Sequence, residues 1–114
     1  MANRKTIMSR DFCIILAQCA SQKEADAIRS ALLKGRLAAC VNILKGVDSR
    51  FWWNGKVDRA KEVLLMAKSR RTNFNRIAKE IKRLHSYDVP EIIAIPIIAG
   101  SGDYLGWIRK NTKA

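Results

Sequence analysis

The sequence predicts an α+β domain in which two helices pack on one side of a four-stranded sheet. Three observations carry that prediction. Apolar runs of strand length alternate with two amphipathic helical stretches in the order βαββαβ. The first helical stretch opens on a capping box, Ser21-Gln-Lys-Glu24. Between the second and third strands stands Asn54-Gly55, the pair that best supplies the two positive φ angles of a type I′ hairpin turn. The chain has 114 residues, 48% of them hydrophobic, which is enough for one core and too short for two.

The first strand is expected from Phe12 to Cys19, apolar at both alternating positions and so buried on both faces. Ala25, Ile28, Ala31 and Leu32 then share one helical face, and Gly35 is placed to end that helix in a left-handed conformation. Strand character returns over residues 37–44, bends at Gly46 and resumes from Arg50 to Trp53. After the hairpin a third strand is expected over Glu62 to Ala67. Thr72 is the candidate cap of a second helix, whose apolar stripe is Phe74, Ile77, Ala78, Ile81 and Leu84. Pro90 stops the helix, and residues 91–98 form a fourth strand that Pro96 confines to a sheet edge. Asp103 can cap a short last helix, residues 104–110.

This order is that of a ferredoxin-like split βαβ sandwich. Two helices cover one face of such a sheet, yet strands one, three and four are apolar on both faces, and Trp52 and Trp53 must point to opposite sides. Another copy of the chain is the most economical cover for the second face, so a homo-oligomer is expected.

Twenty-two Lys and Arg against ten Asp and Glu give a net charge of +12, a surface that attracts anions of every kind. Three cysteines without paired spacing argue against a disulfide framework and for a reducing compartment, hence the cytoplasm. Residues 1–10 read as a flexible basic leader without the apolar centre of a secretory signal, and residues 11–114 as the single domain. No apolar run is long enough to span a bilayer, so no membrane role is expected.

Chemistry concentrates between Leu84 and Pro96, which holds the only histidine, His85, and both prolines. His85 and Glu91 flank a proline turn that could bring an imidazole and a carboxylate together on a borderline metal such as copper or zinc. The competing role for His85 is to cap the second helix at its negative end, with Glu91 paired to an arginine. Cys40 is a candidate soft ligand, although free cysteines are more often buried for packing. Phe51, Trp52 and Trp53 beside Arg50 and Lys56 could stack on bases, but aromatics at a tight hairpin more often pack across strands or anchor interfaces, so nucleic acid is an unfavoured partner. No acid, base and nucleophile can be named together, which makes an enzyme the least supported class.

These residues carry a resemblance to the CutA divalent-cation tolerance family over nearly everything from Phe12 to Asn111. The matching stretches are Arg36-Leu-Ala-Ala-Cys-Val-Asn42, Phe51-Trp-Trp-Asn-Gly-Lys56, Glu62, His85-Ser-Tyr-Asp-Val-Pro-Glu-Ile92 and Tyr104-Leu-Gly-Trp-Ile108. The resemblance implies a tight homotrimer similar in architecture to the PII signalling proteins, with no established enzymatic activity. It implies a link to copper and other divalent cations, with His85 the foremost ligand position; Glu91 and Cys40 are the companions that donor chemistry alone suggests. The ligand cleft or interface would then hold Trp52, Trp53, Lys56, Glu62, Tyr87, Tyr104 and Trp107. A PII-like signalling module binding a small anion or a protein partner is the alternative. Three departures stand out: Ser86 where the family usually has proline, Asp88 for glutamate, and Phe51 for tyrosine.

Overall fold

A computed structural model describes residues 8–114. The regular elements are β1 (Phe12–Cys19), α1 (Gln22–Lys34), β2 (Cys40–Trp53), β3 (Lys56–Arg70), α2 (Phe74–Leu84), β4 (Ile92–Pro96) and α3 (Gly102–Lys110). The four strands form one antiparallel sheet in the order β2-β3-β1-β4, which is the ferredoxin-like arrangement and leaves β4, with Pro96, at an edge.

Strand parity decides the core. Cys13, Ile15, Ala17 and Cys19 of β1, with Val41 of β2 and Leu65 and Ala67 of β3, face the helices and meet Ala25, Ile28, Leu32, Ile77 and Ile81. The intervening positions face the other way. Across that open face the register sets Asn42, Met66, Leu16 and Ile93 in one row and Cys40, Lys68, Ile14 and Ile95 in the next. Ile93 and Ile95 remain 49% and 45% exposed, so an apolar sheet surface stands uncovered in the single chain.

The largest difference from the sequence reading is the length of the hairpin. β2 and β3 stay paired from Cys40–Lys68 out to Trp53–Lys56, broken only by an irregularity between Leu44 and Val47 where Gly46 adopts φ 77°. β1 pairs with β3 only as far as Val63. The outer part therefore projects alone, by roughly 20 Å at about 3.3 Å per residue, and gives the molecule a long dimension of 57 Å against 26 and 22 Å. Residues 56–61 are too polar to be read as a strand, because backbone pairing rather than burial holds them. At the tip Asn54 and Gly55 take φ 51° and 76°, the two positive values that the turn requires.

The caps hold three local corrections. α1 ends at Gly35 with φ −80°, and the left-handed residue is its neighbour Arg36 at 57°. Thr72 does not cap α2; it lies inside a 3-10 turn, Arg71–Asn73, and no side chain caps that helix. Ser101, not Asp103, caps α3, its Oγ accepting from the Tyr104 N–H at 3.2 Å. Of the expected leader, residues 1–7 lie outside the described residues, while Ser9–Asp11 forms a 3-10 turn and the Ser9 hydroxyl donates to the Ile98 carbonyl at 3.0 Å.

Candidate functional site

His85 ends α2 in extended backbone, and its side chain is fully buried against the end of β1. One ring nitrogen, Nε2, lies 2.6 Å from the Gln18 carbonyl oxygen; the other, Nδ1, lies 3.0 Å from the Tyr87 backbone nitrogen. A carbonyl can only accept and a backbone N–H can only donate, so Nε2 carries the proton and Nδ1 supplies the lone pair. The imidazole thus ties β1 to the loop after α2. The Tyr87 ring packs against it with centroids 4.8 Å apart, and the Tyr87 hydroxyl donates to the buried Glu62 carboxylate at 2.8 Å.

Glu24 completes the junction. Ser21 Oγ accepts from the Glu24 N–H as the capping box requires, but the carboxylate reaches one residue further back than Ser21, to the Ala20 N–H at 2.9 Å. Its second oxygen accepts from the Ser86 N–H, also at 2.9 Å. Proline at 86, which the resemblance leads one to expect, has no N–H to donate; serine adds this bond. Burial on its own pushes the Glu24 carboxyl up, but the Ala20 and Ser86 hydrogen bonds outweigh it and hold the group below the usual carboxylate range.

Cys19 Sγ, a Glu24 oxygen and a His85 ring nitrogen lie within 4.8 Å of one another, the group of metal-ligand types that the described residues bring together. Its donor types suit copper or zinc, but its present geometry does not. Both imidazole nitrogens and both Glu24 oxygens are engaged in hydrogen bonds. The Cys19 thiol is pushed up to about 12 by burial and by the charges of Glu24 and Glu62, whereas a metal needs the thiolate. As folded, the trio is a hydrogen-bonded junction.

Neither companion expected for His85 stands beside it. Cys40 is on the open face of the sheet and at its other end: it pairs with Lys68, which pairs with Ile14, five positions along β1 from Cys19 and so roughly 16 Å away. Glu91 lines a cleft of about 880 Å³ between the projecting hairpin and the loop after α2, which borders the junction through Gln18, Glu62 and Tyr87 but is not lined by His85. That cleft also holds Trp52, Trp53, Glu62 and Tyr87 from the expected set, together with Phe51 from outside it. Lys56, Tyr104 and Trp107 are not among its lining residues; Lys56 pairs with Trp53 at the hairpin tip, and Tyr104 and Trp107 stack on each other on α3 at 5.6 Å.

The cleft's charge runs against that of the chain. Asp48, Asp58, Glu62, Asp88 and Glu91 line it against two arginines, Arg50 and Arg59, so half of the ten carboxylates of a +12 protein gather here. Sequence reasoning missed this concentration because the acids come from three separate segments that only the hairpin fold brings together. Spacing also leaves open which of the three cysteines approaches His85 and gives no sign of Glu24 as its neighbour, although the shared parity of Cys13 and Cys19 is a usable signal that both face the helices.

The junction makes stability depend on pH at both extremes. Glu24 titrates below its unfolded value, so its contribution is present above the usual carboxylate range and is lost as pH falls. Glu24→Gln should flatten the acid side of a plot of melting temperature against pH; an unchanged acid limb would remove Glu24 from this role. Tyr87 is pushed up to about 12 by burial and by its bond to Glu62, so its contribution is complete below pH 10 and is lost between there and 12. Tyr87→Phe should cost about 1–2 kcal/mol at neutral pH by leaving Glu62 without its donor. It should also shift the onset of alkaline unfolding, read by circular dichroism.

Residues 13–111 match the family model for CutA1 divalent ion tolerance protein. The divalent-cation tolerance protein CutA of Thermus thermophilus is 42% identical over 99 residues, 87% of this chain and 96% of that one. The chloroplastic protein CutA 1 of Oryza sativa is 39% identical over 101 residues, which span 88% of this chain but only 57% of the plant protein. Among solved structures, the Thermus thermophilus protein superposes with a TM-score of 0.88 at 41% identity, covering 90% of this chain and 99% of that one. The CutA1 structure from Oryza sativa gives 0.87 at 34% identity, covering 90% and 94%. Matched in sequence and fold over almost the whole described chain, the protein belongs to the CutA1 divalent ion tolerance family.

Proposed function

We propose that the protein is a non-enzymatic homotrimer of the cytoplasm that binds a divalent cation in the cleft between its hairpin and the loop after α2. The observation that carries the reading is the gathering of five carboxylates in that cleft on a chain that is otherwise strongly basic. Oxygen donors of this kind suit divalent cations, and the aromatic walls lower the local dielectric and strengthen each charge. No three of these carboxylates converge within one chain, since the close ligand group of the described residues is the His85 trio. Assembly supplies the missing convergence when the exposed hairpin of one subunit packs against a neighbour. Trp52, 74% exposed, and Val57, 58% exposed, are the contacts such packing would bury. The three free cysteines support a reducing compartment.

Calorimetric titration of the chain with Zn²⁺ and Cu²⁺ tests this. Glu91→Gln should weaken binding on the order of tenfold by removing one charged oxygen donor; equal affinities for wild type and variant would take Glu91 out of the site. A second reading, favoured by its sulfur and nitrogen donors, places copper at Cys19, Glu24 and His85 once the Nε2 proton has left. That reading expects copper uptake to release protons and to survive Glu91→Gln unchanged.

A further inference from the structure

At the end of the sheet away from His85, a hollow of about 520 Å³ is lined by Arg10, Asp11, Phe12, Arg70, Arg71, Thr72 and Arg109. Four arginines and one carboxylate line it. That carboxylate, Asp11, is half-exposed and lies 3.7 Å from Arg109, a distance at which the pair neutralises little. Residues 1–7, Met-Ala-Asn-Arg-Lys-Thr-Ile, contain no acid that could balance the remainder.

The hollow is built rather than incidental. Arg70 is fixed by three bonds, from Nε to the Thr112 hydroxyl and from Nη2 to the carbonyls of Arg109 and Thr112. Arg71 Nη1 donates to the Arg10 carbonyl at 3.1 Å, and the Arg109 guanidinium lies 5.8 Å above the ring of Phe12. These contacts fix Arg70, Arg71 and Arg109 at the hollow. Among the described residues they leave the Arg10 side chain, the remaining Arg71 nitrogens and the Thr72 hydroxyl without partners.

We propose that this hollow binds a small molecule bearing a phosphate or diphosphate group. Planar guanidinium forks pair bidentately with phosphate oxygens, and a hydroxyl among them adds a neutral donor. The volume exceeds that of one phosphate and accommodates a diphosphate with part of its bearer. A nucleic-acid strand is disfavoured: the charges close around a recess instead of following a groove, and its one aromatic residue, Phe12, is wholly buried and offers no face for base stacking. The site is remote from the acidic cleft and is independent of the cation reading.

The test is calorimetric titration of the full chain with inorganic pyrophosphate. Saturable binding of one pyrophosphate per chain is expected, weakened about tenfold or more in Arg10→Gln/Arg71→Gln. It should change less than twofold in Lys79→Gln/Lys82→Gln, which removes the same charge from the outer face of α2. Pyrophosphate should also protect Arg10 and Arg71 of the wild type from phenylglyoxal, a readout that needs no variant to fold. Equal weakening in the two double variants, an unsaturable titration or unprotected arginines would overturn the proposal. So would a single-stranded oligonucleotide that binds with a steep salt dependence and is not displaced by pyrophosphate.

Discussion

Ile93→Glu/Ile95→Glu is expected to reduce the proposed homotrimer to single folded chains. Both side chains stand on edge strand β4, on the helix-free face of the sheet, and about half of each is exposed in the isolated chain. Glutamate there costs the isolated subunit little, since surface changes away from special features stay within about 0.5 kcal/mol. In an assembly that buries this face the same change places two uncompensated charges against apolar neighbours such as Leu16 and its row partner Met66. Each such burial costs several kcal/mol unless a partner charge is present. Light scattering should therefore show a fall to the one-chain mass, while far-ultraviolet circular dichroism stays near that of wild type. An unchanged particle mass would mean that the sheet face is not the surface that assembly covers.

The largest loss of subunit stability is expected from His85→Ala. The imidazole is fully buried, and its removal leaves the Gln18 carbonyl and the Tyr87 N–H without their partner. Leaving the part-buried Gln18 carbonyl unsatisfied costs about 1–3 kcal/mol, water can take over the exposed Tyr87 N–H, and the vacated volume adds to the loss, so about 2–4 kcal/mol is expected in metal-free protein. Denaturant titration in the presence of a chelator reads this directly. A loss under 1 kcal/mol would show that the ring is not a structural tie and would favour its service as a ligand. The chelator separates the two roles, because a ligand contributes to stability only when the metal is bound.

Much of this architecture was legible from local chemistry. Ser21 and Glu24 announced the start of α1, Asn54-Gly55 the hairpin, and the two-sided apolar strands the uncovered face. What escaped was set by tertiary register. Residues 56–61 are a polar strand held only by pairing with β2, and no apolar alternation marks them. Cys40 was a reasonable soft ligand by type, but its parity puts it on the face opposite Cys19 and the helices, and no composition argument carries that information. His85 was singled out for its chemistry. Its partners Gln18 and Tyr87, one of them 67 positions away in the chain, are the part that only the fold supplies.

Three chains together are expected to create a cation site that one chain leaves incomplete. Native mass spectrometry of the chelated protein, repeated after adding Zn²⁺, tests this most directly. It should show a three-chain particle that gains up to one ion per chain, and a Glu91→Gln particle of the same size that gains fewer. A single-chain particle, or a three-chain particle whose ion uptake is the same with and without Glu91, would contradict it.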